Sequence, residues 1–148
     1  MLKKNILITG GCRSGKSRQA LSIADKFSGR KVFIATAEPL DDEMKERITK
    51  HQQERGKDWI TQEGPLDPGA IIKREGKKAA IIVMDCLTLW VSNMMMKNMD
   101  RTSILEKMEE LITECTRAHC TVILITNEVG AGIVPDNNLS RSFRDIAG

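Results

Sequence analysis

The segment "NILITGGCRSGKS", residues 5 to 17, limits the possible architecture more than any other stretch of the chain. A continuous apolar run stops at two glycines; four residues separate Gly10 from Gly15, and Lys16 and Ser17 follow directly. This spacing, G-x-x-x-x-G-K-[ST], works only as a turn from a strand into a helix. The glycines let main-chain N–H groups curl around phosphate oxygens, the lysine reaches the outer phosphates, and the hydroxyl meets a magnesium ion. The opening turn of the helix adds its positive dipole end. A phosphate-binding loop is therefore expected between the first strand and the first helix.

Three further apolar runs, "KVFIAT" (31–36), "AAIIVMD" (79–85) and "TVILIT" (121–126), are nearly continuous in Ile, Val, Leu and Phe. Such runs suit strands covered on both faces, as in a parallel sheet. Helical stretches alternate with them: "SRQALSIADKF" after the first strand, "DDEMKERITKHQQER" after the second and "SILEKMEELITECTRA" before the last. The alternation predicts an α/β fold with right-handed crossovers. In the last of these helices Ile104, Leu105, Met108, Leu111, Ile112 and Cys115 recur at helical spacing, predicting a core-facing stripe. The helix over 41–55 is different. Asp41 and Asp42 favour its start, but only Met44 and Ile48 are apolar, so it should be weakly buried. "GPLDPGAIIKREGKKA" (64–79) reads as a loop leading into a short helix, "WVSNMMMKNM" (90–99) as adaptable apolar packing, and "NNLSRSFRDIAG" (137–148) as a helix.

A chain of 148 residues makes one domain, 1–148. Its net charge of +3 is spread among interspersed charges of both signs, which argues against a nucleic-acid partner. No stretch approaches the roughly 20 apolar residues of a membrane span, and the N-terminal apolar run is too short for a signal peptide. A soluble, cytoplasmic protein is expected. Cys12, Cys86, Cys115 and Cys120 form no C-x-x-C pair, and neither His51 nor His119 joins them at metal-ligand spacing. They read as reduced thiols rather than a zinc site, and His119 as structural.

Two positions outside the loop suggest chemistry. Asp85 closes a strand, where a carboxylate can enter a magnesium shell, although turn or cap residues also occupy such places. Thr36, Thr126, Asn127 and Glu128 lie with it beyond the carboxyl ends of strands, where ligands bind in open α/β sheets. His51 falls four residues after Arg47 and four before Arg55, on one helix face. It is either a solvated histidine among basic groups or a nucleophile kept neutral by them, able to attack an α-phosphorus and form a phosphoramidate. A small-molecule kinase, a nucleotidyl transferase and a regulatory ATPase or switch all remain compatible with these residues.

Four stretches together, "LITGGCRSGKS", "IATAEPLDDEMKERITKHQQERGKDW", "DCLTLWVSN" and "TNEVGAGIVPDNNLSRSFRDIAG", resemble the bifunctional adenosylcobinamide kinase / adenosylcobinamide-phosphate guanylyltransferase family of cobalamin biosynthesis. The resemblance covers essentially the whole chain, and the pairing of R-I-x-x-H-x-x-x-R-x-x-x-W with N-E-V-G-x-G-I-V-P makes it specific. It implies a P-loop NTPase fold, RecA-like, with a mostly parallel sheet flanked by helices. Members continue past "RDIAG", so the chain is expected to be short at its C-terminus relative to them.

The resemblance also implies the chemistry. ATP or GTP phosphorylates adenosylcobinamide; GTP then converts that phosphate to adenosylcobinamide-GDP with release of pyrophosphate. His51 would be the guanylylated nucleophile and Lys16 the second catalytic residue. Gly10, Gly11, Cys12, Arg13, Ser14, Gly15, Lys16 and Ser17 would hold the nucleotide phosphates. Thr36, Ala37, Glu38, Gln52, Gln53, Glu54, Arg55, Glu63 and Asp85 would be further nucleotide contacts, with Ser17 and Asp85 holding Mg²⁺. A homotrimer is implied as well. The alternative is a P-loop small-molecule kinase without guanylyltransferase activity, in which His51 is a surface residue.

Overall fold

Five strands form one sheet, in a computed structural model that describes residues 3–11, 15–38 and 40–127. They are β1 (Asn5–Gly10), β2 (Lys31–Ala35), β3 (Trp59–Glu63), β4 (Ile81–Asp85) and β5 (Thr121–Asn127), in the order β1-β5-β4-β2-β3. Every pairing is parallel. The three central strands are the apolar runs already noted. Their alternate residues feed two cores, since successive side chains point to opposite faces. Phe33, Ala35, Ile81, Val83, Ile123 and Ile125 pack with Ile8 and with Ala20 and Ala24 of α1 (Lys16–Ala24). Val32, Ile34, Ile82, Met84 and Val122 face the opposite core, with residues of α3 (Pro68–Glu75), α4 (Leu87–Met96) and α5 (Arg101–Arg117).

β3 is the strand that the apolar runs do not announce. "WITQE" is polar and only half-buried, because it is an edge strand paired on one side to β2. The short helix expected after residue 64 is α3, with Pro68 in its first turn and Asp67 Oδ1 accepting from Ala70 N at 3.3 Å. The methionine-rich stretch lies in and just beyond α4, where Met94 is fully buried while Met96 is exposed. In α5 the buried stripe is narrower than its apolar pattern: Ile104, Leu111 and Cys115 are buried, but Leu105 and Ile112 are exposed. α5 packs against α3 along one line, and residues one position round from Ile104 and Leu111 fall outside it.

α2 (Asp42–Arg55) is capped by Asp41, whose Oδ1 accepts from Met44 N at 2.7 Å. It contains no buried residue, as its polar sequence predicts. The helix expected over 137–148 lies outside the described residues, as do Cys12, Arg13, Ser14 and Glu128. Among the described residues, no helix is long and apolar enough to cross a membrane.

Candidate functional site

The site is assembled where β1, β4 and β2 end. Gly10 is the last residue of β1, in register with Asn127 of β5. Gly15 caps α1 with a φ of 82°, a left-handed conformation that glycine adopts at little cost. Among the described residues no side chain caps this helix start, and its first turn carries no acid, so the opening turn presents positive potential to whatever the loop holds. Lys16 is buried, unusually for a lysine, and its Nζ donates to the carbonyl of Gly11 across the loop.

Ser17 Oγ donates to Asp85 Oδ2 at 2.6 Å. The hydroxyl sits in the first turn of α1 and the carboxylate at the end of β4, which Ala35 and Ile125 flank in register on β2 and β5. Two hard oxygen donors are thereby brought together, the donor chemistry of Mg²⁺, which keeps water and phosphate oxygens as its remaining ligands. Thr36 braces this strand end. It is fully buried, its Oγ1 accepts from Cys86 N at 2.8 Å, and the carbonyls of Asp85 and Cys86 lie 3.1 and 3.0 Å from the hydroxyl.

Other polar residues fix the loops around it. Asn127 N donates to Thr88 Oγ1 at 2.7 Å, and Thr88 lies 3.1 Å from Thr126 Oγ1, tying the end of β5 to the start of α4. Asn93 Nδ2 donates to the carbonyls of Thr36 and Pro65, at 2.7 and 2.9 Å, joining the segments that follow β2 and β3. Sequence reasoning did not single out Thr88 or Asn93; the only signal is that they are two of the three polar residues, with Ser92, in a mostly apolar helix.

The predicted residues divide into two groups. Gly10, Gly11, Gly15, Lys16, Ser17, Thr36 and Asp85 converge at the loop, and half-buried Ala37 and Glu38 continue from Thr36. Glu63 ends β3, exposed and in register with Ala35. His51, Gln52, Gln53 and Glu54 are exposed on α2. His51 Nδ1 lies 3.6 Å from Glu54 Oε2, and among the described residues no hydrogen bond or ion pair joins it to Ser17 or Asp85.

The basic face expected around His51 is also altered, because Arg55 leaves it. Its guanidinium carbon sits 3.7 Å from the ring centroid of Phe33 and its Nη2 donates to Thr61 Oγ1 at 3.0 Å. Burial lowers the pKa of Arg55, and the carboxylate of Asp85 works against that by raising it. Arg55 therefore lies in the field of the Asp85 carboxylate, whereas the charge facing His51 is the carboxylate of Glu54.

The chain is similar to known proteins along nearly its entire length. The family model for cobinamide kinase / cobinamide phosphate guanyltransferase matches residues 6–148. The bifunctional adenosylcobalamin biosynthesis protein CobU of Escherichia coli (strain K12) is 39% identical over 155 residues, covering 97% of this chain and 85% of that protein. CobP of Pseudomonas aeruginosa, also a bifunctional adenosylcobalamin biosynthesis protein, is 39% identical over 143 residues, covering 96% and 82% respectively.

Proposed function

The chain belongs to the cobinamide kinase / cobinamide phosphate guanyltransferase family, and on that premise we propose that it carries out both reactions of cobalamin biosynthesis at one nucleotide site. The observation that carries the reading is the 2.6 Å contact of Ser17 with Asp85 at the end of the glycine loop. ATP or GTP is held by Gly10 to Ser17 through main-chain N–H groups, with Lys16 at the outer phosphates. Ser17 and Asp85 would hold Mg²⁺, which neutralises charge on the phosphates when bound. In the first reaction the hydroxyl of adenosylcobinamide takes the γ-phosphoryl group, and catalysis is mainly positioning and electrostatics.

In the second reaction an imidazole nitrogen of His51 attacks the α-phosphorus of GTP and pyrophosphate leaves. A phosphate oxygen of adenosylcobinamide phosphate then displaces GMP from the histidine, giving adenosylcobinamide-GDP. His51 is exposed on α2, so its imidazole is open to an incoming nucleotide. Thr36, Ala37, Glu38, Gln52, Gln53, Glu54, Arg55 and Glu63 supply the remaining nucleotide contacts, on the family resemblance. The same resemblance supports a homotrimer.

The exposed position of His51 beside Glu54 is what favours the second reading, a kinase alone. Incubation with GTP labelled at the α-phosphate separates the two. The bifunctional reading expects acid-labile, alkali-stable label on the protein, abolished in His51→Ala. A folded protein that takes no label, or a variant that labels undiminished, leaves only the kinase.

A further inference from the structure

Arg55 is the last residue of a helix that buries nothing, yet its own side chain is half-buried and stacked on an aromatic ring of the sheet. Phe33 and Thr61, which hold it, are register partners on β2 and β3 and so lie side by side. Phe33 is itself buried and braced edge-to-face by Trp59, with ring centroids 6.2 Å apart at 79°. The guanidinium is incompletely satisfied: Nε is sealed from solvent and has no acceptor among the described residues. A guanidinium N–H buried without an acceptor is costly, and an arginine that served only to anchor a helix would have that donor filled.

Position supplies the missing half. Phe33 precedes Ala35 by two residues, and Ala35 is in register with Asp85, so the ring lies about 7 Å along the strand from the level of the carboxylate. A guanidinium held at that cost is placed by something other than its own hydrogen bonding, and phosphate oxygens bound between the loop and Asp85 are the anionic acceptors that its outer N–H groups take best.

We propose that Phe33 is a positioning residue of the phosphate site: its ring holds the Arg55 guanidinium in reach of the nucleotide phosphates, with Thr61 as a tether. Phe33 touches no substrate and acts through Arg55. The assignment rests on the reading of Arg55 as a nucleotide contact. An aliphatic side chain fills the space but offers no negative ring face, so it leaves the guanidinium unplaced.

The test is a double-mutant cycle on GTP affinity, measured by calorimetry on the full chain, with Phe33→Leu, Arg55→Ala and the double variant. Phe33→Leu is expected to weaken GTP binding by about threefold to thirtyfold, the range of a partly desolvated cation–π contact. In the Arg55→Ala background it should add less than about twofold, and Phe33→Tyr, which keeps the ring, should restore affinity. An equal loss from Phe33→Leu with and without Arg55, or no loss at all, overturns the proposal. Unchanged affinity in Arg55→Ala instead overturns the nucleotide-contact reading beneath it. Should Phe33→Leu fail to fold, Phe33→Met, judged by the same criteria, takes its place.

Discussion

Ser17 Oγ donates to Asp85 Oδ2 at 2.6 Å, across 68 residues of sequence, and so joins the first turn of α1 to the end of β4. Neither residue has a structural need for the other. Both side chains are only half-buried, so water at the mouth of the loop can satisfy the Ser17 hydroxyl and the Asp85 carboxylate when the contact is lost. Replacing the carboxylate by its amide therefore tests chemistry more than stability. Asp85→Asn is expected to lower nucleotide-dependent phosphorylation by about a hundredfold or more while the melting temperature changes little. The Mg²⁺ concentration for half-maximal activity should rise. Magnesium titrations of the wild type and the variant, with a thermal melt of each, check both parts.

Gly15 and Gly11 make a contrasting pair. A Cβ at either meets nothing within 4 Å, so crowding by the described residues is not the obstacle. Only Gly15 has a positive φ, 82°, where an alanine costs about 1–2 kcal/mol. Gly15→Ala should lower stability by about that amount and weaken GTP binding, whereas Gly11→Ala should leave the melt unchanged. Thermal denaturation without nucleotide distinguishes the two variants directly.

How far these features were legible in the sequence depends on where each element sits. Buried parallel strands announce themselves, because both faces need apolar residues; "KVFIAT", "AAIIVMD" and "TVILIT" each became a central strand. β3 did not, since an edge strand with Thr61 and Gln62 in its middle lacks that signature. The loop was legible through the fixed spacing of Gly10, Gly15, Lys16 and Ser17, and Asp85 through its place at a strand end. Arg55 was assigned to the face of His51 by helical spacing, and that assignment missed Phe33. Spacing gives the direction of a Cβ, while a long side chain at a helix end can turn toward the sheet.

Cys115 offers a test of the core on α5. Burial pushes its thiol up to about 11 from an ordinary value of 9.0. The fold thus favours the neutral thiol. Its contribution to stability is complete below pH 9 and is lost as pH rises from about 9 to about 11. Chemical denaturation at pH 8 and pH 10.5 should show a decline that is smaller in Cys115→Ala, by up to about 2 kcal/mol, although that variant starts from a lower stability at pH 8. Equal declines in the two proteins would contradict the burial of this thiol.

Thr36 connects packing to activity. It is fully buried, and its hydroxyl is committed to the backbone at Asp85 and Cys86, including acceptance from Cys86 N at 2.8 Å. Valine fits the same space but cannot accept, which leaves that amide buried without a partner at a cost of about 1–3 kcal/mol. It also removes what holds the end of β4 in place, so the Asp85 carboxylate loses its fixed position opposite Ser17. Thr36→Val is expected to lower both the melting temperature and the rate of phosphorylation, with the rate loss persisting well below the melt. Serine restores the acceptor and gives up only a methyl group, about 1 kcal/mol. Thr36→Ser should therefore recover the rate while remaining somewhat less stable than the wild type, and activity measured at low temperature beside a thermal melt separates the two effects. If Thr36→Val retained the full rate at low temperature, the hydroxyl would matter to stability alone.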